Sequence, residues 1–141
     1  MGARSSGREA ALQMLFALDA SGASIESVMR SFWTETPGDA EGRSYADELV
    51  CGVVSEIAAL DERIRAVSSS WRLERMARVD RNVLRLGTWE LWRRPDVPRA
   101  VILDEAVELA KRFGSQESSS FVNGVLDEMA DQLGRVDALK R

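Results

Sequence analysis

The chain of 141 residues contains no histidine and a single cysteine. Histidine is the commonest general base and metal ligand, and an ordinary zinc site needs several histidine or cysteine side chains. One cysteine, Cys51, cannot build a disulfide framework within the chain, and its apolar neighbours predict a small buried residue. The 23 Asp and Glu residues are scattered over predicted outer helix faces. We therefore expect no cofactor and no metal, and we predict that the protein is not an enzyme.

Long apolar segments are also missing. No run approaches the roughly 18–20 apolar residues needed to span a membrane, and the N-terminus lacks the apolar core of a secretion signal. With 45% hydrophobic residues, 30% charged residues and three prolines, the composition is that of a globular protein. The length fits one domain. We predict a single domain over residues 1–141, located in the cytoplasm and without a membrane partner.

Apolar residues recur at steps of three and four along the chain, which is the period of one helix face. The pattern predicts helices over about residues 7–20, 24–34 and 79–94, and a longer helical run over 45–71. That run is either one helix or two with a bend near residues 59–61. Two further helices flank Gly114. No segment alternates with period two for long enough to predict a strand, so the predicted fold class is all-α with about seven helices.

These helices fall into two halves, residues 1–71 and 72–141, with about three helices in each. A single helix face cannot bury itself, so each triplet either packs as a bundle or shares one core with the other.

Charge is unevenly distributed along the sequence. Residues 1–62 carry 4 basic against 11 acidic side chains, residues 63–99 carry 10 against 4, and residues 100–141 carry 5 against 8. The middle is therefore +6 within a chain whose net charge is −4. Its position does not follow from composition, and a basic segment favours either a nucleic-acid or an acidic protein partner.

Residues 101–128, VILDEAVELAKRFGSQESSSFVNGVLDE, join two helical patterns through a Gly/Ser connection. Gly114 is typical of a helix end with positive φ, and Ser118 or Ser119 is suited to cap the next helix. Asn123 and Gly124 are weak choices for a helix interior. Two explanations stay open for them: a close helix crossing and a functional role.

DEAVELAKRFGS followed by FVNGVLD resembles the C-terminal signature of the NusB family of bacterial transcription antitermination factors. Residues 79–98, VDRNVLRLGTWELWRRPDVP, are similar to another marked segment of that family, as is Arg8-Glu9 with the helical run after it. Together these segments cover well over half of the chain, in the family's order and spacing. The resemblance implies two small three-helix bundles packed together.

The resemblance also implies an RNA-binding surface. Arg4 and Arg8 form a cationic arm, predicted to be flexible, although the family usually has more arginines there. Phe16 and Phe121 fall where the family presents aromatic rings near RNA, although both are also typical core residues. In this interpretation the remaining candidates contact phosphate, sugar or base; they are Gln13, Lys111, Arg112, Glu117, Ser118, Ser119, Ser120 and Asn123. Ser118 is alternatively a simple helix cap.

A second surface is predicted on the helix over residues 79–94. Asp80, Arg81, Arg85 and Trp89 are candidates for contact with a protein partner, since Trp and Arg are frequent interface anchors. Trp89 and Trp92 cannot both point fully into the core. The resemblance implies that the partner is NusE, the small-subunit ribosomal protein that doubles as a transcription factor. Core packing with a solvated arginine face is the alternative.

The leading hypothesis is a non-enzymatic adaptor that binds boxA RNA in ribosomal RNA leader transcripts together with NusE, within a complex of other Nus factors and RNA polymerase. One alternative is a detached relative of the NusB-like domain of ribosomal RNA cytosine methyltransferases, whose cofactor loop, strands and catalytic cysteine pair have no counterpart in this sequence. The other is a helical adaptor that binds only proteins. A homodimer is left open.

Overall fold

The computed structural model describes residues 2–68 and 71–136. These ranges contain seven α-helices, one short 3₁₀ helix and no strand, which confirms the all-α prediction. None of the helices in these ranges is long and apolar enough to cross a membrane. The described residues divide into two compact units, with the boundary between Ser55 and Glu56.

The first unit holds α1 (Ala3–Ser21), α2 (Ile25–Glu35) and α3 (Ala40–Ser55). Helix α1 ends at Gly22, whose φ of 69° needs a residue without a Cβ. Helix α2 begins after Ser24, whose side chain accepts a hydrogen bond from the Ser27 amide. Helix α1 packs closely on α3 at Gly7, where an added Cβ would lie 3.0 Å from the Gly42 carbonyl oxygen.

The second unit holds α4 (Ile57–Val67), the 3₁₀ helix η1 (Leu73–Arg75), α5 (Arg78–Arg93), α6 (Arg99–Phe113) and α7 (Ser118–Gln132). Helix α5 is the most buried and packs on α4, α6 and α7. At Gly87 an added Cβ would come within 2.6 Å of Leu126 Cδ1, so this glycine sets the spacing of α5 and α7. Pro98 precedes α6, where a missing amide hydrogen costs nothing.

Helix boundaries differ from the predicted ones in four places. Helix α1 begins at Ala3 rather than near residue 7, and α3 at Ala40 rather than near residue 45. The long run over 45–71 breaks at Glu56, earlier than the predicted bend at 59–61, and α4 ends at Val67. The contact boundary follows this break, since α3 packs on α1 whereas α4 packs on α5 and α7. The division thus falls between residues 55 and 56, not near residue 71.

The prediction that Cys51 is buried is wrong, because its side chain is exposed. The core face of α3 passes through Leu49, Val50 and Val53, and Cys51 lies off that face. Partial burial raises the pKa of its thiol, and the nearby carboxylates of Asp47 and Glu26 raise it further. The thiol is therefore held in its protonated, weakly reactive form near neutral pH.

Candidate nucleic-acid interface

An open groove of about 310 Å³ lies between the segment that carries η1 and the start of α7. We call it the Phe121 groove. The Trp71 and Phe121 rings meet edge to face at one side of it, with centroids 5.7 Å apart and planes inclined at 69°. Trp71 is 59% exposed and Phe121 is half-buried. The residues that line the groove are Trp71, Arg75, Met76, Ala77, Asp80, Ser115, Glu117 and Phe121.

The turn between α6 and α7 places Phe121 at this groove. Gly114 is extended, with φ of −102°, so the prediction of a positive-φ helix end there is wrong. Glycine is needed for space instead, because a Cβ would lie 2.5 Å from Ser118 Oγ. Ser118 is buried, and its Oγ accepts a hydrogen bond from the Ser115 amide at 2.9 Å. Ser118, the first residue of α7, therefore stabilises the turn from a buried position. Its assignment as an RNA contact is corrected, because a buried side chain is not accessible to RNA.

The groove is bordered by charges of both signs. Arg72, Arg75 and Arg78 are all exposed along the segment that leads into α5. Glu74 lies among them and pairs with Arg65 at 3.1 Å. A backbone hydrogen bond, and then the Arg65 guanidinium, hold the pKa of Glu74 below its ordinary value. Arg75 lines the groove, and Arg72 and Arg78 lie on the same segment to either side of it in sequence, so this segment provides a positive rim that suits an anionic chain.

Two carboxylates lie within this positive rim. Asp80 stands in the first turn of α5, where a negative charge suits the helix dipole. Its Oδ1 is covered and accepts no hydrogen bond from the described residues. Glu117 is exposed, and its carboxylate accepts a long hydrogen bond of 3.5 Å from Ser115 Oγ. Two carboxylates therefore line the groove beside its two rings, and that of Glu117 is the exposed one.

A shallower depression continues from the groove along α7. It is lined by Val67, Ser68, Trp71, Ser120, Phe121, Gly124, Val125 and Glu128. An added Cβ at Gly124 would meet nothing within 4 Å, so the close helix crossing considered for Asn123 and Gly124 is not formed there. Asn123 and Ser120 are exposed. The surface of α7 beside Phe121 is therefore open and carries accessible polar side chains next to apolar ones.

Lys111 and Arg112 are exposed in the last turn of α6, where cations suit the negative end of the helix dipole. The Arg112 guanidinium lies 5.2 Å from the centre of the Phe113 ring. Neither residue belongs to the lining of the Phe121 groove or of the depression beside it.

The candidates in the first unit lie on α1. The arm that carries Arg4 and Arg8 is helical from Ala3, so the prediction of a flexible arm is wrong for residues 3–8. Arg4 is exposed, Arg8 is only 3% exposed, and both guanidinium groups lie near the Tyr45 ring, 5.0 and 5.5 Å from its centre. Arg8 therefore packs within the unit, and Arg4 presents the accessible charge.

Gln13 and Phe16 are accessible on the same helix. Gln13 is exposed and lines a depression of about 190 Å³ together with residues of α2, α3 and the loop between them. Phe16 is 40% exposed, which is unusual for a large aromatic side chain. Both side chains are placed where a ligand can reach them.

The predicted protein-partner surface is largely internal. Arg85 and Trp89 are each 7% exposed. Arg85 makes a bidentate pair with Asp61, with Nε–Oδ1 and Nη2–Oδ2 distances of 2.8 and 2.9 Å. The Trp89 indole donates to Glu56 Oε1 at 3.0 Å. The assignment of these two as exposed anchors is corrected, because their polar groups are satisfied within the second unit.

Asp80 and Arg81 complete that predicted set. Arg81 is half-buried and reaches the Leu73 carbonyl at 3.5 Å, while Asp80 belongs to the Phe121 groove. Trp92, the other tryptophan of α5, is half-buried between the Arg63 and Arg93 guanidinium groups, at 4.3 and 3.7 Å from its ring centre. Of the two tryptophans, Trp92 is therefore the more accessible.

Much of the basic middle is neutralised by acidic residues from elsewhere in the chain. Arg85 pairs with Asp61 and Arg93 with Glu56. Arg99 pairs with both Asp127 and Asp131. The positive rim of the groove is consequently a smaller surface than the local charge of +6 predicts.

Trp71 and Arg75 were not among the predicted site residues. Periodicity assigns Trp71 to the apolar face of a long helix, but that helix ends at Val67. The available signal was the interruption of the helical pattern after residue 71, which contains an arginine at positions 72, 75 and 78.

The model of the NusB family matches residues 5–131. A transcription antitermination protein NusB of Sorangium cellulosum is 72% identical over 137 residues, covering 97% of this chain and 98% of that protein. The solved structure of T. maritima NusB has a TM-score of 0.85 at 35% identity, covering 92% of this chain and 91% of that one. A crystal structure of the antitermination factors NusB and NusE in complex with double-stranded RNA has a TM-score of 0.84 at 26% identity, covering 92% and 97%.

These similarities define the class of protein: a helical transcription antitermination factor, and not an enzyme. The matched residues include the Phe121 groove and most of α1. The chain belongs to the NusB family.

Proposed function

We propose that this protein binds the boxA element of ribosomal RNA leader transcripts jointly with NusE, and that the pair joins other Nus factors and RNA polymerase in the cytoplasm to suppress termination. The observation that carries the proposal is the Phe121 groove. It combines two accessible rings, a rim of exposed arginines and open polar groups along α7. The similar structure that contains NusB, NusE and RNA supports the same partners.

Single-stranded RNA is recognised by stacking unpaired bases on aromatic rings while cations hold the backbone. Trp71 and Phe121 supply the rings, and Arg72 and Arg75 supply cations at the groove edge. Arg4, Gln13 and Phe16 provide a second set of accessible groups of the same kinds on α1. Lys111, Arg112, Ser120 and Asn123 remain candidates for backbone contacts.

The decisive variant is Phe121→Ala. Each stacked base contributes about 1–3 kcal/mol, so the substitution should weaken boxA binding roughly 5- to 150-fold. Phe121→Leu keeps apolar bulk but removes the ring face, and it should lose most of the same affinity. Val101→Ala is the control, since it truncates an accessible apolar side chain that lies on α6 outside the groove.

Binding is measured by fluorescence anisotropy with boxA and scrambled oligonucleotides at two salt concentrations, with and without NusE. We expect the Phe121 variants to keep their affinity for NusE and the helical circular dichroism spectrum of the wild type, while their preference for boxA over scrambled RNA falls. An equal loss for boxA and scrambled RNA would contradict base reading. Wild-type affinity that does not depend on salt would favour a protein-only adaptor.

A further inference from the structure

The chain leaves α7 through a tight turn at a glycine. Gly134 has a φ of 71°, a left-handed conformation that a residue without a Cβ adopts readily. The Gly134 amide donates to the Asp131 carbonyl oxygen at 3.0 Å, and the Arg135 amide donates to the Ala130 carbonyl oxygen at 2.9 Å. These two bonds form a Schellman motif, which ends the helix. Arg135 therefore follows directly after a turn of fixed geometry.

The side chain of Arg135 reaches two backbone carbonyl oxygens in a distant part of the sequence. Its Nη1 donates to the Leu91 oxygen at 2.8 Å, and its Nη2 donates to the Val97 oxygen at 2.6 Å. Leu91 lies in the last turn of α5 and Val97 in the turn between α5 and α6, and each residue is only 1% exposed. A buried carbonyl group that loses its donor is costly, because water does not replace the lost bond. Arg135 therefore stabilises the end of α5 and the turn after it.

The end of α5 needs this outside donor because of a proline. In an α-helix the Leu91 carbonyl would accept from the amide four residues later, but that residue is Pro95, which has no N–H. The carbonyl before it, that of Glu90, receives its usual donor, the Arg94 amide, at 2.9 Å. Arg135, 44 residues after Leu91, thus supplies the hydrogen bond that Pro95 cannot make.

A second arginine fixes the backbone of the segment after α7. Arg99 Nη1 donates to the Arg135 carbonyl oxygen at 2.9 Å. The same guanidinium group pairs with Asp127 and Asp131 of α7, at 2.8 and 3.0 Å. Beyond the glycine turn, apolar packing adds little, because Val136 is 86% exposed. The segment is therefore held in place mainly by the hydrogen bonds of two guanidinium groups.

We infer that residues 133–136 form a strap that closes on the end of α5, with Arg135 as its latch and Arg99 as the group that holds it down. Opening the strap breaks the bonds of these two arginines and leaves the apolar core of the second unit intact, so it is a local event. While the strap is closed, the turn over residues 94–98 is rigid. When the strap opens, two buried carbonyl groups lose their donor, and the end of α5 frays.

Hydrogen exchange of the full chain, followed by mass spectrometry of its peptides, measures this opening. Short labelling times register local opening and not global unfolding. The variants are Arg135→Met, Arg135→Lys and Arg99→Met. Lysine keeps the positive charge but lacks the fork of donors that serves two carbonyl groups at once. Arg65→Met is the matched control, since it removes an arginine of the same unit whose pair with Glu74 is mostly exposed.

In Arg135→Met we expect the Arg94 and Val97 amides to exchange at least about tenfold faster than in the wild type. Arg135→Lys and Arg99→Met should speed exchange in the same peptide by smaller factors, and Arg65→Met should leave it unchanged. Peptides from the middle of the helices should keep their wild-type protection at short labelling times. In the Pro95→Ala background residue 95 regains an N–H, so the effect of Arg135→Met should be at least halved.

Unchanged protection of the α5–α6 turn in Arg135→Met would overturn the strap. A loss of protection spread evenly over all the helices would overturn it as well, because that pattern is general destabilisation and not local opening. If Arg135→Met has the same effect with Pro95 and with Ala at that position, Arg135 does not stand in for the amide that proline lacks, and that part of the inference is wrong.

Discussion

Replacing Arg85 with methionine tests whether this arginine stabilises the second unit or anchors a partner. Its guanidinium makes two hydrogen bonds to Asp61 and a third, of 3.1 Å, from Nη1 to Asn82 Oδ1. The side chains of Arg85 and Asp61 are 9% and 16% exposed. Methionine fills a similar volume but leaves a nearly buried carboxylate and an amide oxygen without this donor.

Removing one partner of a buried ion pair costs about 3–5 kcal/mol. The lower value applies here, because Asp61 retains some access to water. For a chain of this length, a loss of about 3 kcal/mol in the free energy of unfolding lowers the Tm by roughly 10 °C. The same substitution at Arg65, whose pair with Glu74 is mostly exposed, should cost less than about 1 kcal/mol.

Thermal unfolding followed by circular dichroism gives both Tm values, and titration with NusE well below the Tm gives the affinity. We expect Arg85→Met to bind NusE normally while it remains folded. The double variant Arg85→Met with Asp61→Leu should recover more than half of the lost stability, since it removes the isolated carboxylate. If Arg85→Met and Arg65→Met have the same Tm, or if Arg85→Met loses NusE without losing stability, the structural role argued for Arg85 is wrong.

Two further outcomes follow from the packing and the charges. Gly87→Ala forces a methyl group against Leu126 of α7 and should lower the free energy of unfolding by about 1–3 kcal/mol. In Gly124→Ala the added methyl group meets open space, so the free energy of unfolding should rise by about 0.5–1 kcal/mol. Both values are measured by urea unfolding, and equal effects of the two variants would contradict this packing. The hydrogen bond from Arg93, with a smaller contribution from Trp89, holds the pKa of Glu56 below its ordinary value, so its stabilisation is complete above the ordinary glutamate pKa and is lost as pH falls through the lower folded-state pKa. The stability advantage of the wild type over Glu56→Gln should therefore shrink on acidification, and an advantage that grew would refute the assignment.

The sequence by itself predicted most of the secondary structure, because apolar residues at steps of three and four form one continuous face only in an α-helix. The C-terminal end of α5 was also predictable from the sequence, since Pro95 and Pro98 cannot continue a helix. The absence of histidine and the family signature both favoured a binding protein over an enzyme. Phe121 lies in the first turn of the last helix, as its position in the sequence predicts, and it is half-buried.

Tertiary contacts decided what each polar or small residue does. Periodicity cannot tell that Gly87 and Gly114 need space whereas Gly124 does not, because the difference lies in neighbours distant along the chain or in the path of a turn. The internal hydrogen bonds of Arg85 and Trp89 could not be predicted from the sequence either, since their partners Asp61 and Glu56 lie 24 and 33 residues away along the chain. A local pattern records which face of a helix is apolar, and only the folded chain shows which side chains meet there and which are left for a ligand.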